Sequence, residues 1–360
     1  AAWWTRRKIM FVGQSRLARG ARRPGSLRQL APAPRALSTL SSPSPANNAL
    51  SPTIFETAAD NFLGAWSDDD GHGCGLRMPP LRPSVLPALD CLDDVFRVHD
   101  AMIQSPQSDR LGGHAGWKLG WKGNPLVTAD PSRLPAMYSP IFAGCLFPSG
   151  TTLSLSHHKV FCAEAEFGFV MGSPLPPREE CYTQEEVWAA VRSYEPCIEL
   201  CGARFTTATA KASPYHLLAD AMNNAAVIRG IPLVPPPATP PAAALTGGSC
   251  LVRLLVDGKE ASSGTGEENP ADSPLGALTF LANDLSRRGK TLEAGHFVIA
   301  GHTCQVAFSS RPAPPSARTL SQAPVCGARV VPDAAVEFGA HSVLEAYHEG
   351  CGTVRAILVD

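Results

Sequence analysis

A chain of 360 residues, 44% hydrophobic and 18% charged, is composed as a folded protein able to bury one extensive core or two modest ones, which excludes disorder throughout. No apolar run approaches the roughly 18 residues that a bilayer-crossing helix needs, so no membrane partner is expected. Nine of the 31 basic residues precede the first acid, Glu56, leaving 22 Lys and Arg against 32 Asp and Glu; that acidic remainder is a poor partner for nucleic acids.

The nine basic residues are Arg6, Arg7, Lys8, Arg16, Arg19, Arg22, Arg23, Arg28 and Arg35. With Ser38, Ser41, Ser42 and Ser44 they give residues 1–50 the Arg-rich, Ser-rich, acid-free character of a disordered organellar transit peptide, a basic tail being the alternative. The mitochondrial matrix is the expected location, the plastid stroma the next, and the cytoplasm if the leader is not a transit peptide. The eleven cysteines are spread singly with no C-x-x-C pair, which favours a reducing compartment.

From Ser51 to Gly112 the pattern predicts a small helical unit. Thr53 and Glu56 form a Thr-x-x-Glu capping box ahead of Phe55, Ala59, Phe62, Leu63 and Trp66 at helical spacing, and Leu89 to Ile103 offers a second stripe with Leu92 and Phe96. Residues 113–360 read as a β-rich domain. Short apolar or alternating runs occur at Trp117–Trp121, Thr151–Leu155, Phe161–Met171, Cys197–Cys201, Val227–Arg229, Leu251–Val256, Phe297–Ala300 and Ser342–Tyr347, and Asp257-Gly258 signals a hairpin. Two helices interrupt the strands: one capped by Thr183 and Glu186 and carrying Val187, Val191 and Tyr194, the other starting at Asp272-Ser273-Pro274 with Leu275, Leu278, Leu281 and Leu285 buried. Pro/Ala-rich stretches near 231–246 and 309–326 read as loop insertions.

Within VFCAEAEFGFVM, residues 160–171, side chains alternate between faces. Phe161, Ala163, Ala165, Phe167, Phe169 and Met171 share an apolar face, while Glu164 and Glu166 point together on the other, about 7 Å apart at Cα. Glu199, in Pro196-Cys197-Ile198-Glu199-Leu200-Cys201, is a third acid between apolar neighbours. Three carboxylates without a His or Cys cluster suit a hard divalent cation, Mg²⁺ or Mn²⁺, with solvated or salt-bridged acids as the alternative reading. Cys197 and Cys201 would share Glu199's strand face, a soft arrangement open to zinc or to two buried thiols packing as small hydrophobes. For Lys118 taken alone, a surface lysine with a buried stem is the alternative to a functional role.

Taken in order, the Glu164/Glu166 strand, PCIELCGARF (196–205), Leu218-Ala219-Asp220, Ala261-Ser262-Ser263-Gly264, Leu292-Glu293-Ala294-Gly295, Val298-Ile299-Ala300-Gly301 and GWKLG (116–120) resemble the 2-keto-4-pentenoate hydratase family. That family is the hydratase/decarboxylase branch of the fumarylacetoacetase C-terminal-domain superfamily. The resemblance runs from about Thr53 to the C-terminus. It implies an α+β fold, a mixed β-sandwich or roll with the helical unit at its N-terminus. It also implies that Glu164, Glu166 and Glu199 bind Mg²⁺ or Mn²⁺, that Lys118 is catalytic, and that Tyr138, Asp220, Ser263 and Gly301 bind substrate. The implied reaction is hydration of a 2-hydroxydienoate or 2-oxo acid through a metal-chelated enolate; a 2-oxo-acid decarboxylase, an acylpyruvate C–C hydrolase and a catalytically silent binding or assembly protein are the alternatives. A small-molecule 2-oxo acid is the expected partner, and a homo-oligomer the expected assembly. The chain departs from the family where Met137 stands for an acid, Ala221 for the Asn of Ala-Asp-Asn, His296 for an Asp, and Ala300 for a hydroxyl-bearing residue.

Overall fold

In the computed structural model, the described residues are 52–66, 86–120, 136–202, 204, 214–234, 249–301, 303–304, 307–308 and 336–360, all within one compact unit, Leu50–Asp360. The predicted transit peptide and both Pro/Ala-rich insertions fall largely or wholly outside them.

Helix α1, Pro52–Trp66, begins one residue ahead of the expected cap, so Thr53 lies inside the first turn, where its carbonyl accepts a bond from the Thr57 hydroxyl at 2.7 Å. Helix α2, Leu92–Gln104, carries Asp93 and Asp94 in its first turn, a placement its N-terminal dipole favours, and buries Val95, Phe96, Val98 and Met102. Both helices cover one face of a strand, β2, Met137–Phe142: the Phe96 and Tyr138 rings are 5.0 Å apart, and Trp66 meets Phe142 edge-on at 5.7 Å.

The other strands are β1, His114–Gly120; β3, Leu146–Pro148; β4, Thr152–Ser154; β5, Val160–Met171; β6, Val191–Gly202; β7, Asn224–Arg229; β8, Leu251–Val256; β9, Lys259–Thr265; β10, Phe297–Ala300; β11, Ala307–Phe308; β12, Val343–His348; and β13, Gly352–Val359. Between them lie helices α3, Gln184–Ala189; α4, Pro214–Ala219; and α5, Pro274–Arg287. The capping box of α3 forms as expected, Thr183 accepting from the Glu186 N–H at 3.3 Å while Glu186 accepts from the Thr183 N–H at 2.8 Å. The helix is shorter than expected, however, because Val191 already opens β6: pairing with β5 along the whole of β6 outweighs the helical spacing of Val191 and Tyr194. Ser273 caps α5 by accepting from the Gly276 N–H at 3.0 Å.

Among the described residues the strands make two sheets. The larger runs β2-β1-β10-β5-β6-β7-β3, with β11 against β5; the smaller runs β4-β13-β12-β8-β9. Only β1–β10 and β3–β7 pair parallel in the larger sheet. The apolar face of β5 turns toward the smaller sheet, where Phe167 meets His348 of β12 edge-on at 4.8 Å. The opposite face is buried too, around a separate apolar cluster of Ile141, Val170, Cys197, Val227, Phe297 and Ile299.

The sheet coils around that second face. Lys118 lies on β1 and Glu199 on β6, three strand spacings apart, and the row through Lys118, Ile299 and Gly168 meets β6 at Glu195, four residues from Glu199. On a flat sheet the two residues would be roughly 19 Å apart. Their side chains meet at 2.6 Å, so the strands curl until distant positions face one another. Gly168 makes room for this, since a Cβ there would stand 2.6 Å from both Cys197 Sγ and the Phe297 ring.

Candidate metal centre

Strand alternation puts Glu164 and Glu166 on the coiled sheet's inner face, and the β5–β6 register sets Glu199 directly opposite Glu164. The three carboxylates converge, one oxygen of each lying within 4.8 Å of the others. Glu166 and Glu199 are fully buried, whereas Glu164 is partly open. Glu199 Oε1 accepts from Lys118 Nζ at 2.6 Å and from Asn224 Nδ2 at 2.6 Å. Lys118 Nζ also donates to the Met222 carbonyl at 3.0 Å, which is presented by three successive residues with left-handed backbone, Ala221, Met222 and Asn223. Gly301 closes the site: the position a Cβ would take is occupied by the Glu166 carboxylate.

The electrostatics are those of a site short of positive charge. Burial raises the Glu166 carboxyl well above the usual range, and the neighbouring Glu199 and Glu164 push it the same way. Burial also raises Glu164 and Glu199, against the pull of Lys118. The Lys118 ammonium loses solvation on burial, but Glu199, then Cys201, Glu164 and Glu166, more than compensate and hold it charged. One lysine thus faces three acids, while Glu166 Oε2 and Glu199 Oε2 are buried with no hydrogen-bond partner. Oxygen donors, convergence and two unpartnered carboxylate atoms together fit a hard divalent cation held by Glu164, Glu166 and Glu199.

Other residues expected at the site lie elsewhere. Tyr138 faces the helices: its hydroxyl donates to Asp284 Oδ2 at 2.7 Å, and its ring packs on Phe96 and Trp117. The β2 residue beside Lys118 is instead Ser139, directly opposite it in the register, fully buried and with its hydroxyl unpartnered. Asp220 forms a wholly buried ion pair with Arg204, and burial pushes its carboxyl up to about 6 against the pull of that guanidinium. Arg204 lies over the Trp66 ring at 3.8 Å and donates to the Asn224 carbonyl at 2.6 Å. Asp220 therefore acts through Arg204 and Asn224 on the position of Glu199. Ser263 is exposed on β9, in the smaller sheet, while its neighbour Ser262 points inward to Cys304 Sγ at 3.3 Å. Cys197 joins the apolar cluster of the inner face. Cys162, Cys197, Cys201 and Cys304 are free thiols.

Ser139 gives no signal in the sequence because residues 137–142 do not read as a strand on their own; Arg204 lies within PCIELCGARF, but nothing local says that it pairs with Asp220 or that Asn224 bonds Glu199. The alternation that placed Glu164 and Glu166 would have picked Ser139 over Tyr138 had β2 been paired with β1.

The coiled sheet and the three facing carboxylates define a protein of the fumarylacetoacetase C-terminal-like fold with a candidate divalent-metal centre. Two solved structures of 4-oxalocrotonate decarboxylase from Pseudomonas putida G7 share the fold. The one complexed with magnesium and adipate superposes with a TM-score of 0.62 at 19% identity, and the one with calcium and acetate with 0.60 at 17%, each over 87% of this chain and 100% of the other. No family model matches the chain. Over 165 residues it is 30% identical to the 2-keto-4-pentenoate hydratase of Paraburkholderia xenovorans (strain LB400), and equally to 2-keto-4-pentenoate hydratase 3 of Pseudomonas putida. The match spans 46% of this chain and 57% of each relative, little more than half of their length. The resemblance to the 2-keto-4-pentenoate hydratase family read from the motifs is borne out by these curated relatives.

Proposed function

We propose that the protein is a divalent-metal-dependent hydro-lyase that adds water to a 2-hydroxydienoate, or its 2-oxo form, to give a 4-hydroxy-2-oxo acid. The observation that carries this reading is the convergence of Glu164, Glu166 and Glu199 beside a buried, charged Lys118. Mg²⁺ or Mn²⁺ held by the three carboxylates would supply Lewis-acid stabilisation of the negative charge that develops on the substrate's C2 oxygen. Two of the Lys118 donors are spent on Glu199 and Met222, which fixes the ammonium so that its remaining proton can meet the substrate's carboxylate or be passed to carbon. The Ser139 hydroxyl, buried on the same row, can donate to or accept from the bound acid.

Selectivity follows from what else lines that face. By register Met137, Ile141 and Ile299 share it with Ser139 and Lys118, while Ala300 turns to the opposite face beside Leu119 and Phe167. A second substrate carboxylate would find no described partner among them, which favours a monoacid with an apolar tail over a hexenedioate. The named decarboxylase with the same fold supplies the second reading, decarboxylation of a dioic 2-oxo acid. The Arg-rich leader supports work inside an organelle, the mitochondrion ahead of the plastid.

Product analysis with matched monoacid and diacid 2-hydroxydienoates, in Mg²⁺ and in Mn²⁺, tests the assignment. Hydrated monoacid product is expected; CO₂ release from the diacid would replace the hydratase with the decarboxylase, and turnover of neither despite bound metal would leave a silent binding protein.

A further inference from the structure

Two residues along β5 from Glu164, and two along β6 from Glu199, Cys162 and Cys201 stand directly opposite each other. Alternation therefore puts both thiols on the same inner face as the acids. The β5–β6 pairing shifts register beside them, between Val160 and Cys162, and β6 shifts register against β7 between Leu200 and Cys201, distortions that re-aim side chains at a sheet's working face. Cys162 Sγ, Cys201 Sγ and a Glu164 carboxylate oxygen all lie within 4.8 Å of one another. Both thiols are buried and free. Neither belongs to either buried apolar cluster, whereas Cys197, two steps of the alternation from Cys201 on β6, packs within one. Cys197 packs as a small hydrophobe, whereas Cys162 and Cys201 hydrogen-bond to one another across the strand pair.

We propose that Cys162, Cys201 and Glu164 form a second metal site, one that takes a thiophilic divalent cation, zinc above all. Two sulfurs and one oxygen are a donor set that zinc accepts, its fourth tetrahedral position being left to water. Zinc bonds of about 2.3 Å to sulfur and about 2.0–2.2 Å to oxygen put ligand atoms roughly 3.5–3.8 Å apart, so the three groups need close by only about an ångström. As each Zn–S bond forms, the thiol proton leaves to solvent, and no electrons are transferred. Glu164, the one partly open member, belongs to both sites. The hard oxygen triad and the soft thiol site therefore compete for a single carboxylate, and zinc held by the thiols withdraws a ligand from the Mg²⁺ or Mn²⁺ site. The proposal does not depend on the hydratase reading, since it concerns metal binding without substrate.

Metal-depleted, reduced full-length protein titrated with Co²⁺ alone tests it, because thiolate-to-cobalt charge-transfer absorption in the near ultraviolet reports sulfur ligation and is silent for cobalt on carboxylates. The expected result is one equivalent of such absorption, chased by one equivalent of Zn²⁺. Cys162→Ser, Cys201→Ser and, to guard against misfolding, Cys162→Ala should each abolish it and lower Zn²⁺ affinity by at least ~10²-fold, since even outer partners of zinc ligands are worth 10–100-fold. Mg²⁺ affinity should stay within about twofold in the cysteine variants and fall in Glu164→Gln. Absence of the charge-transfer band in the reduced parental protein, or its persistence in all three cysteine variants, would overturn the site.

Discussion

Lys118 Nζ lies 2.6 Å from Glu199 Oε1 although three strand spacings separate β1 from β6, and this contact is where the sheet's curvature becomes chemistry. It offsets only part of the charge of the three converging carboxylates and leaves the remainder, with the unpartnered oxygens of Glu166 and Glu199, to be satisfied by a cation. It also holds a buried ammonium in its charged form beside the three acids.

Glu166→Gln keeps the shape of the side chain and removes one anionic ligand. Mg²⁺ affinity measured by calorimetric titration should fall by about 10²-fold while the far-ultraviolet circular dichroism stays that of the parent. Gly301→Ala should weaken the same affinity by a different route, because its methyl group would take the space that the Glu166 carboxylate occupies. Unaltered Mg²⁺ affinity in both variants would remove the triad as a metal centre.

Lys118→Ala should lower kcat/KM by about 10²-fold or more if the ammonium both anchors the acid and assists proton transfer. Metal affinity should be unchanged or tighter, because loss of the cation leaves Glu199 less neutralised. A parallel loss of metal binding would reduce Lys118 to a scaffold for Glu199.

The neighbouring pair Tyr138 and Ser139 separates structure from function within two residues. Tyr138→Phe deletes the hydroxyl bonded to Asp284 and should cost about 1–3 kcal/mol of stability in urea unfolding, with kcat/KM held within about twofold. Ser139→Ala should do the reverse, lowering kcat/KM while leaving stability nearly unchanged. Equal activity of the Ser139→Ala variant and its parent would exclude Ser139 from the substrate's surroundings.

His99 is buried on α2, its Nε2–H donating to the Leu218 carbonyl at 2.9 Å while Nδ1 has no partner. Burial lowers its pKa to about 4, from an ordinary value near 6.5. The unfolded chain therefore binds this proton more readily than the native one across that interval, so stability should rise with pH from about 4 to about 6.5 and level off above it. The contribution is on the order of 3 kcal/mol. In His99→Gln, which preserves a donor to Leu218, the difference in unfolding free energy between pH 4.5 and pH 7 should shrink relative to the parent. An unchanged difference would place the acid sensitivity on other groups.

What the sequence determined by itself is whatever depends on local backbone geometry. The period of two in a strand put Glu164 and Glu166 on one face, the Thr183–Glu186 spacing made a capping box, and Ser273-Pro274 opened a helix, because each follows from φ and ψ over a few residues. The ordered motifs carried the family and the triad's third member, Glu199. Tertiary structure decided the rest, through pairings between strands far apart in the chain. The β1–β2 register chose Ser139 over Tyr138 to stand beside Lys118, and Arg204 claimed Asp220 for the support of Asn224 and Glu199. The β5–β6 register set Cys162, rather than Cys197, against Cys201. A shift of one residue in any of these pairings would turn every side chain to the opposite face, and register is chosen by the burial of whole sheet faces, a quantity no single segment contains.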